Sequence, residues 1–152
     1  MPRRLRWSAL SLALVLPSAP PRQPVPTAQA AAGYVVVVHA SNPTPAMPRE
    51  QVAKLFLRKA TRWPSGAPAL PVDLRGGEPA REAFTREVLG KSVPSVKAYW
   101  QARIFSGYDV PPPEQPSEAQ AVAFVRANPG AVGYVSGSAV LPEGVRALAV
   151  GP

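Results

Sequence analysis

The chain has 152 residues, 46% of them hydrophobic and 17% charged, enough for one compact domain with its own core and too few for two. It holds no cysteine and a single histidine, His39, which excludes disulfide scaffolds, thiol nucleophiles, Cys-ligated metal and a Cys-linked lipid anchor, and argues against a His-rich metal site or a Ser/His/Asp triad. The net charge of +8 is unevenly spread: Arg3, Arg4, Arg6 and Arg22 fall in the first thirty residues, and the remainder, with 13 basic and 9 acidic groups, is only mildly basic.

The three arginines at Arg3, Arg4 and Arg6 precede an uncharged, mostly apolar run from Trp7 to Leu16, the layout of an export signal. A helix that crosses a bilayer needs about 20 apolar residues, so this run is too short for a stable membrane anchor. Ala28-Gln29-Ala30 puts small residues at the alternating positions a signal peptidase accepts, which predicts a signal peptide over 1–30 with cleavage after Ala30. Ala30-Ala31-Ala32 offers a second cut, and an uncleaved leader with a Pro-rich tether is the remaining alternative. The mature domain, 31–152, is then periplasmic or secreted.

Tyr34 to His39 is a continuous β-branched run, the pattern of a strand buried on both faces in a parallel or mixed sheet. Ala40 to Pro45 reads as a loop. Pro48 opens a helix through about Arg58, with Val52, Leu55 and Phe56 on one face, and Trp63 to Gly66 is a turn. Leu70 to Leu74 reads as a second strand, followed by a helix opened by Glu78-Pro79 with Phe84 and Val88 inward and Gly90 as its stop. A further helix runs from about Pro94 to Phe105, with Val96, Tyr99, Trp100 and Ile104 on one stripe. Tyr108 to Pro116 is a Pro-rich loop, Ser117 and Gln120 form a capping box for a helix ending at Asn128-Pro129-Gly130, and Ala131–Val135 and Val145–Val150 are the last strands. The alternation predicts an α/β fold, a sheet flanked by helices in two or three layers.

One segment suggests ligand chemistry: Arg75-Gly76-Gly77-Glu78-Pro79-Ala80-Arg81, where a strand passes through two glycines into a helix start. Successive amides there can form a concave nest, and the helix N-terminus adds partial positive charge, so a small anion fits with help from Arg75 and Arg81. The alternative is an ordinary tight turn whose amides are capped by the Glu78 carboxylate. Ser41 and Asn42, after the first strand, can hydrogen-bond a ligand or simply form a turn, and His39 reads as a packed or partly exposed histidine, not a ligand. The cluster Arg58-Lys59-Ala60-Thr61-Arg62-Trp63 sits where a helix macrodipole favours cations, and no nucleic-acid partner is expected. No carboxylate pair or His-centred constellation predicts catalysis, so the chain is expected to be no enzyme and to use no cofactor or metal.

The stretches VVVVHASNP, MPREQVAKLFLRKATRWPSG, PVDLRGGEPAREAF and FVRANPGAVGYVSGS, in this order, resemble the substrate-binding components of bacterial phosphate ABC transporters, in the type 2 periplasmic binding protein superfamily. The likeness covers nearly all of 34–150, and its most specific elements are LFLRKATRWPSG and NPGAVGYV. It implies a single lobe of a fold that in its full form has two lobes closing on the anion, with a mixed sheet flanked by helices. It carries the anion-binding role to Arg75, Gly76 and Gly77, and to Ser41 by its position, while Glu78, Pro79 and Ala80 stand where that family has hydroxyl donors. The function it implies is non-catalytic binding of phosphate or another small inorganic anion, accessory to uptake or sensing, with an ABC transporter or a second lobe as partner. The alternative is an envelope protein–protein interaction module that kept the lobe and lost the ligand.

Overall fold

The computed structural model describes residues 31–152, so the leader and its cleavage site lie outside the described residues. In chain order the elements are β1 (Tyr34–His39), β2 (Ala46–Pro48), α1 (Arg49–Phe56), β3 (Leu70–Pro71), β4 (Asp73–Leu74), α2 (Pro79–Glu87), α3 (Val93–Phe105), β5 (Glu114–Gln115), α4 (Glu118–Ala127), β6 (Ala131–Ser136), β7 (Val145–Ala147) and β8 (Ala149–Gly151).

The valine run of β1 organises the molecule. Successive side chains of a strand point to opposite faces. Tyr34, Val36 and Val38 therefore enter one core with Phe56 of α1, Phe84 of α2 and Tyr134 of β6, whereas Val35 and Val37 enter a second with Val125 of α4, Val135 and Val145. Helices thus cover both faces, and the predicted strand with two buried faces is observed. The main sheet has the order β3-β6-β1-β7; β1 runs antiparallel to β6 (Val36 opposite Tyr134) and to β7, while β3 runs parallel to β6. It is a mixed sheet.

Two predicted strands divide. The segment 70–74 pairs first with β6 through β3, then with β5 through β4, and the segment 145–150 pairs with β1 through β7 and with β2 through β8. The partners change because each segment passes an edge of the main sheet and finds a new acceptor for its amides. For the same reason the loop predicted over 108–116 contains β5, which supplies the parallel partner of β4. Helix signals were more direct. Ser92 and Ser117 cap α3 and α4 by accepting from the Ser95 and Gln120 amides at 3.2 and 3.3 Å. The inward stripe of α3 ends at Trp100, and Ile104 faces solvent, because no element covers the last turns of this helix.

Candidate functional site

The chain leaves β4 at Leu74 and turns through Arg75, Gly76 and Gly77 into α2, with Pro79 at the start of the helix. Gly77 has φ +97°, a left-handed conformation that glycine adopts without steric cost, and it reverses the chain between strand and helix. Arg75, Gly76 and Gly77 are exposed. The Arg75 amide donates to the Gln115 carbonyl of β5 at 2.9 Å, but the amides of Gly76, Gly77 and Glu78 have no acceptor among the described residues. Glu78 is the N-cap residue of α2, yet its carboxylate makes no capping hydrogen bond, so the turn is not filled by its own side chain.

Arg81 is placed differently from the sequence expectation. It is 2% exposed; its Nη1 donates to the Leu74 carbonyl at 2.8 Å and pairs with the Asp73 carboxylate, and its Nη2 lies 3.8 Å from Glu114. Asp73 also accepts from the Tyr134 hydroxyl and, at 3.0 Å, from the Leu74 amide. Both peptide groups of Leu74, the residue just before the exposed turn, are therefore held by buried side chains. Burial pushes the Asp73 carboxyl above its usual range against the pull of Arg81, and pushes the Tyr134 phenol up, with the Asp73 charge adding to the effect. Burial is the largest single influence on Arg81 and works against its charge, but Asp73, Tyr134 and Glu114 together outweigh it and hold the pKa above the ordinary value. The charge of Arg81 is compensated inside the fold, one layer beneath the turn it was expected to line.

Ser41 is separated from the turn by the sheet's topology. Because β1 is antiparallel to β6 and β3 is parallel to it, the carboxyl end of β1 lies at the amino end of β3. Ser41 there lines a hollow of about 330 Å³ with Trp63, Leu70 and Gly130, while Arg75 leaves the other end, roughly 13 Å along the strand direction. Its hydroxyl lies 2.7 Å from His39 Nδ1, which also accepts from the Ser41 amide at 3.1 Å, a local turn contact at an exposed position. Of the five residues predicted as one site, the structure brings together Arg75, Gly76 and Gly77. Sequence reasoning passed over Asp73, although a carboxylate within the apolar run PVDL requires a buried partner, and Arg81 was the cation one helical turn into α2.

No family model and no curated protein matches the chain. Solved structures do. A phosphate ABC transporter substrate-binding protein with bound phosphate from Clostridium perfringens is 24% identical at TM-score 0.60, over 78% of this chain and 44% of its own. An ABC-type phosphate transport receptor from Vibrio cholerae is 21% identical at TM-score 0.57, over 78% of this chain and 46% of its own, and a possible phosphate binding protein from Planctomyces limnophilus is 15% identical at TM-score 0.56, over 78% and 41%. The chain spans less than half the length of each of these solved structures. Its mixed sheet, covered by helices on both faces, has the fold of about half of these periplasmic-binding-protein structures.

Proposed function

We propose that the Arg75–Gly77 turn binds a small oxyanion, phosphate first, without catalysing a reaction, and that the chain is an exported binding component accessory to phosphate uptake or sensing of the ABC type. In this reading residues 1–30 are a signal peptide removed after Ala30, and 31–152 is the working domain. The observation that carries it is the run of three amides, at Gly76, Gly77 and Glu78, without an acceptor among the described residues. They lie beside the exposed Arg75 at the N-terminus of the nine-residue α2, whose aligned peptide dipoles favour an anion. The solved neighbours support the ligand class, since one holds phosphate and another is a phosphate transport receptor.

Arg81 acts at one remove: with Asp73 it fixes the Leu74 peptide from which the turn departs. The turn is one-sided, so a bound anion keeps part of its water and affinity is modest until a second lobe or a transporter subunit supplies donors from the other side. Calorimetric titration with phosphate and with sulfate tests the reading; heat that saturates, and that is lost in Arg75→Ala, supports it, and no heat at millimolar ligand removes it. The interaction-module reading expects an exposed apolar strip along the ligand edge. The exposed apolar side chains instead cluster at the C-terminal end of α3, whereas Val93 at its beginning is the residue beside Gly76, which favours the anion reading.

A further inference from the structure

Among the described residues, four of the six exposed large apolar side chains, Ile104, Phe105, Tyr108 and Val110, fall within one short segment at the end of α3, and Phe105 is 93% exposed. Clusters of this kind mark docking surfaces. The chain folds back here, the Tyr108 amide donating to the Arg103 carbonyl at 3.1 Å, so helix end and loop form one projecting knob.

Basic groups surround it. The Arg103 guanidinium lies 5.5 Å from the Tyr99 ring and 5.9 Å from the Tyr108 ring. Arg58 reaches Asp109 at 3.5 Å and the Tyr99 hydroxyl donates to the Leu57 carbonyl at 3.0 Å, which brings the basic segment after α1 to the same end of the molecule. Asp109 is paired with Arg58, Glu114 lies 3.8 Å from an Arg81 already paired with Asp73 and leaves one negative charge nearby, and Lys59, Lys97 and Arg103 form no ion pair among the described residues, so basic groups are in excess.

We propose that this knob docks the chain reversibly onto an anionic lipid surface, its apolar side chains entering the headgroup region and Lys59, Lys97 and Arg103 facing lipid phosphates. Two features favour a bilayer over a protein groove. Phe105 is almost fully exposed to solvent, and aromatic, aliphatic and unpaired basic side chains together are the composition of interfacial anchors. No helix among the described residues is long and apolar enough to cross a membrane, so attachment is at the surface and weakens with salt.

The test expresses the full-length gene and takes the protein as the cell delivers it, for wild type, Phe105→Ser/Tyr108→Ser and Lys59→Gln/Lys97→Gln, all at exposed positions and each checked for an unchanged thermal melt. Flotation is compared on vesicles of phosphatidylcholine alone and with phosphatidylglycerol added. Wild type floats with the anionic vesicles only; the apolar double variant loses about tenfold or more in partitioning, and the lysine variant about fivefold per charge removed. Absence of flotation on anionic vesicles overturns the proposal, as does flotation that neither double variant changes. So does a wild-type dimer that Phe105→Ser/Tyr108→Ser converts to monomer, which assigns the knob to a second copy of the chain.

Discussion

Asp73→Asn and Arg81→Met break the same pair with unequal cost. Asp73 is 7% exposed and Arg81 2%, and the two sit in contact beneath the Arg75–Gly77 turn. Removing one partner of a buried pair costs about 3–5 kcal/mol, because the other charge is left uncompensated. A guanidinium does not give up its proton in a protein, so Asp73→Asn leaves a buried permanent cation with only the half-exposed Glu114 carboxylate, 3.8 Å from Nη2, and falls toward the upper end, about 4–5 kcal/mol. Arg81→Met strands a carboxyl that burial already pushes above its usual pKa, and protonation relieves it, so the cost at neutral pH is nearer about 3 kcal/mol. An acid whose folded pKa exceeds its unfolded value gives its full stability below the unfolded pKa and loses it as pH rises toward the folded one. Removing Arg81 raises the folded pKa of Asp73 further, so the Arg81→Met penalty shrinks as pH falls from about 7 toward about 4, the ordinary carboxyl range, while the Asp73→Asn penalty does not. Urea denaturation followed by circular dichroism across that range measures both, and the double variant costs less than the sum of the singles. Equal penalties at neutral pH, or an Arg81→Met penalty that grows on acidification, refute a buried charge pair.

Three further outcomes are expected. Phe84 stacks on Tyr134 at 3.9 Å and 7° and lies 4.7 Å from Phe56, so Phe84→Ala costs about 3–5 kcal/mol in chemical denaturation, and a loss below about 1 kcal/mol contradicts the packing. A Cβ on Gly130 would lie 2.3 Å from the Pro68 carbonyl oxygen, and the Gly130 carbonyl accepts from Trp63 Nε1 at 2.9 Å and from the Leu70 amide at 3.0 Å. Gly130→Ala therefore costs about 2–3 kcal/mol and red-shifts tryptophan emission; an unchanged spectrum and melt refute this. Glu78→Gln removes a carboxylate beside the free amides and strengthens phosphate binding by a factor of about two to five at low ionic strength, an effect that calorimetry should see fade at high salt.

Periodicity revealed the layers and turn chemistry revealed the corner. The valine run of β1 reads as doubly buried because no polar residue interrupts Tyr34 to Val38, and Gly76-Gly77 before Pro79 reads as a strand-to-helix turn because both residues are cheap at φ > 0 and proline suits a first helical turn. Strand direction was not legible in the same way. Nothing in YVVVVH distinguishes a parallel from an antiparallel neighbour, and the antiparallel pairing with β6 is what removes Ser41 from the corner. Arg81 illustrates a second limit. A basic residue in the first turns of a helix is equally consistent with reaching a ligand and with turning inward to a buried acid, and only the placement of Asp73 on β4 decides between them.

The two proposed surfaces sit at opposite ends of one element. A Cβ on Gly76 would lie 3.8 Å from Val93, the first residue of α3, and the apolar knob begins at its last residues, about 20 Å along the helix axis. At β4 and β5 the same polarity holds: Pro113 at the end of the knob's loop accepts from the Asp73 amide where the strands begin, and Arg75 leaves where they end. A chain docked through the knob therefore holds the anion turn away from the lipid, with its amides open to solvent or to a second lobe. The surfaces share no residue, and two independent ends mean a coupling free energy near zero, in which case each leaves the other's affinity unchanged. Saturating phosphate should accordingly shift partitioning onto anionic vesicles by less than about twofold at constant ionic strength. A larger shift that Arg75→Ala abolishes means that anion occupancy is transmitted along α3, and the picture of two independent ends on one lobe fails.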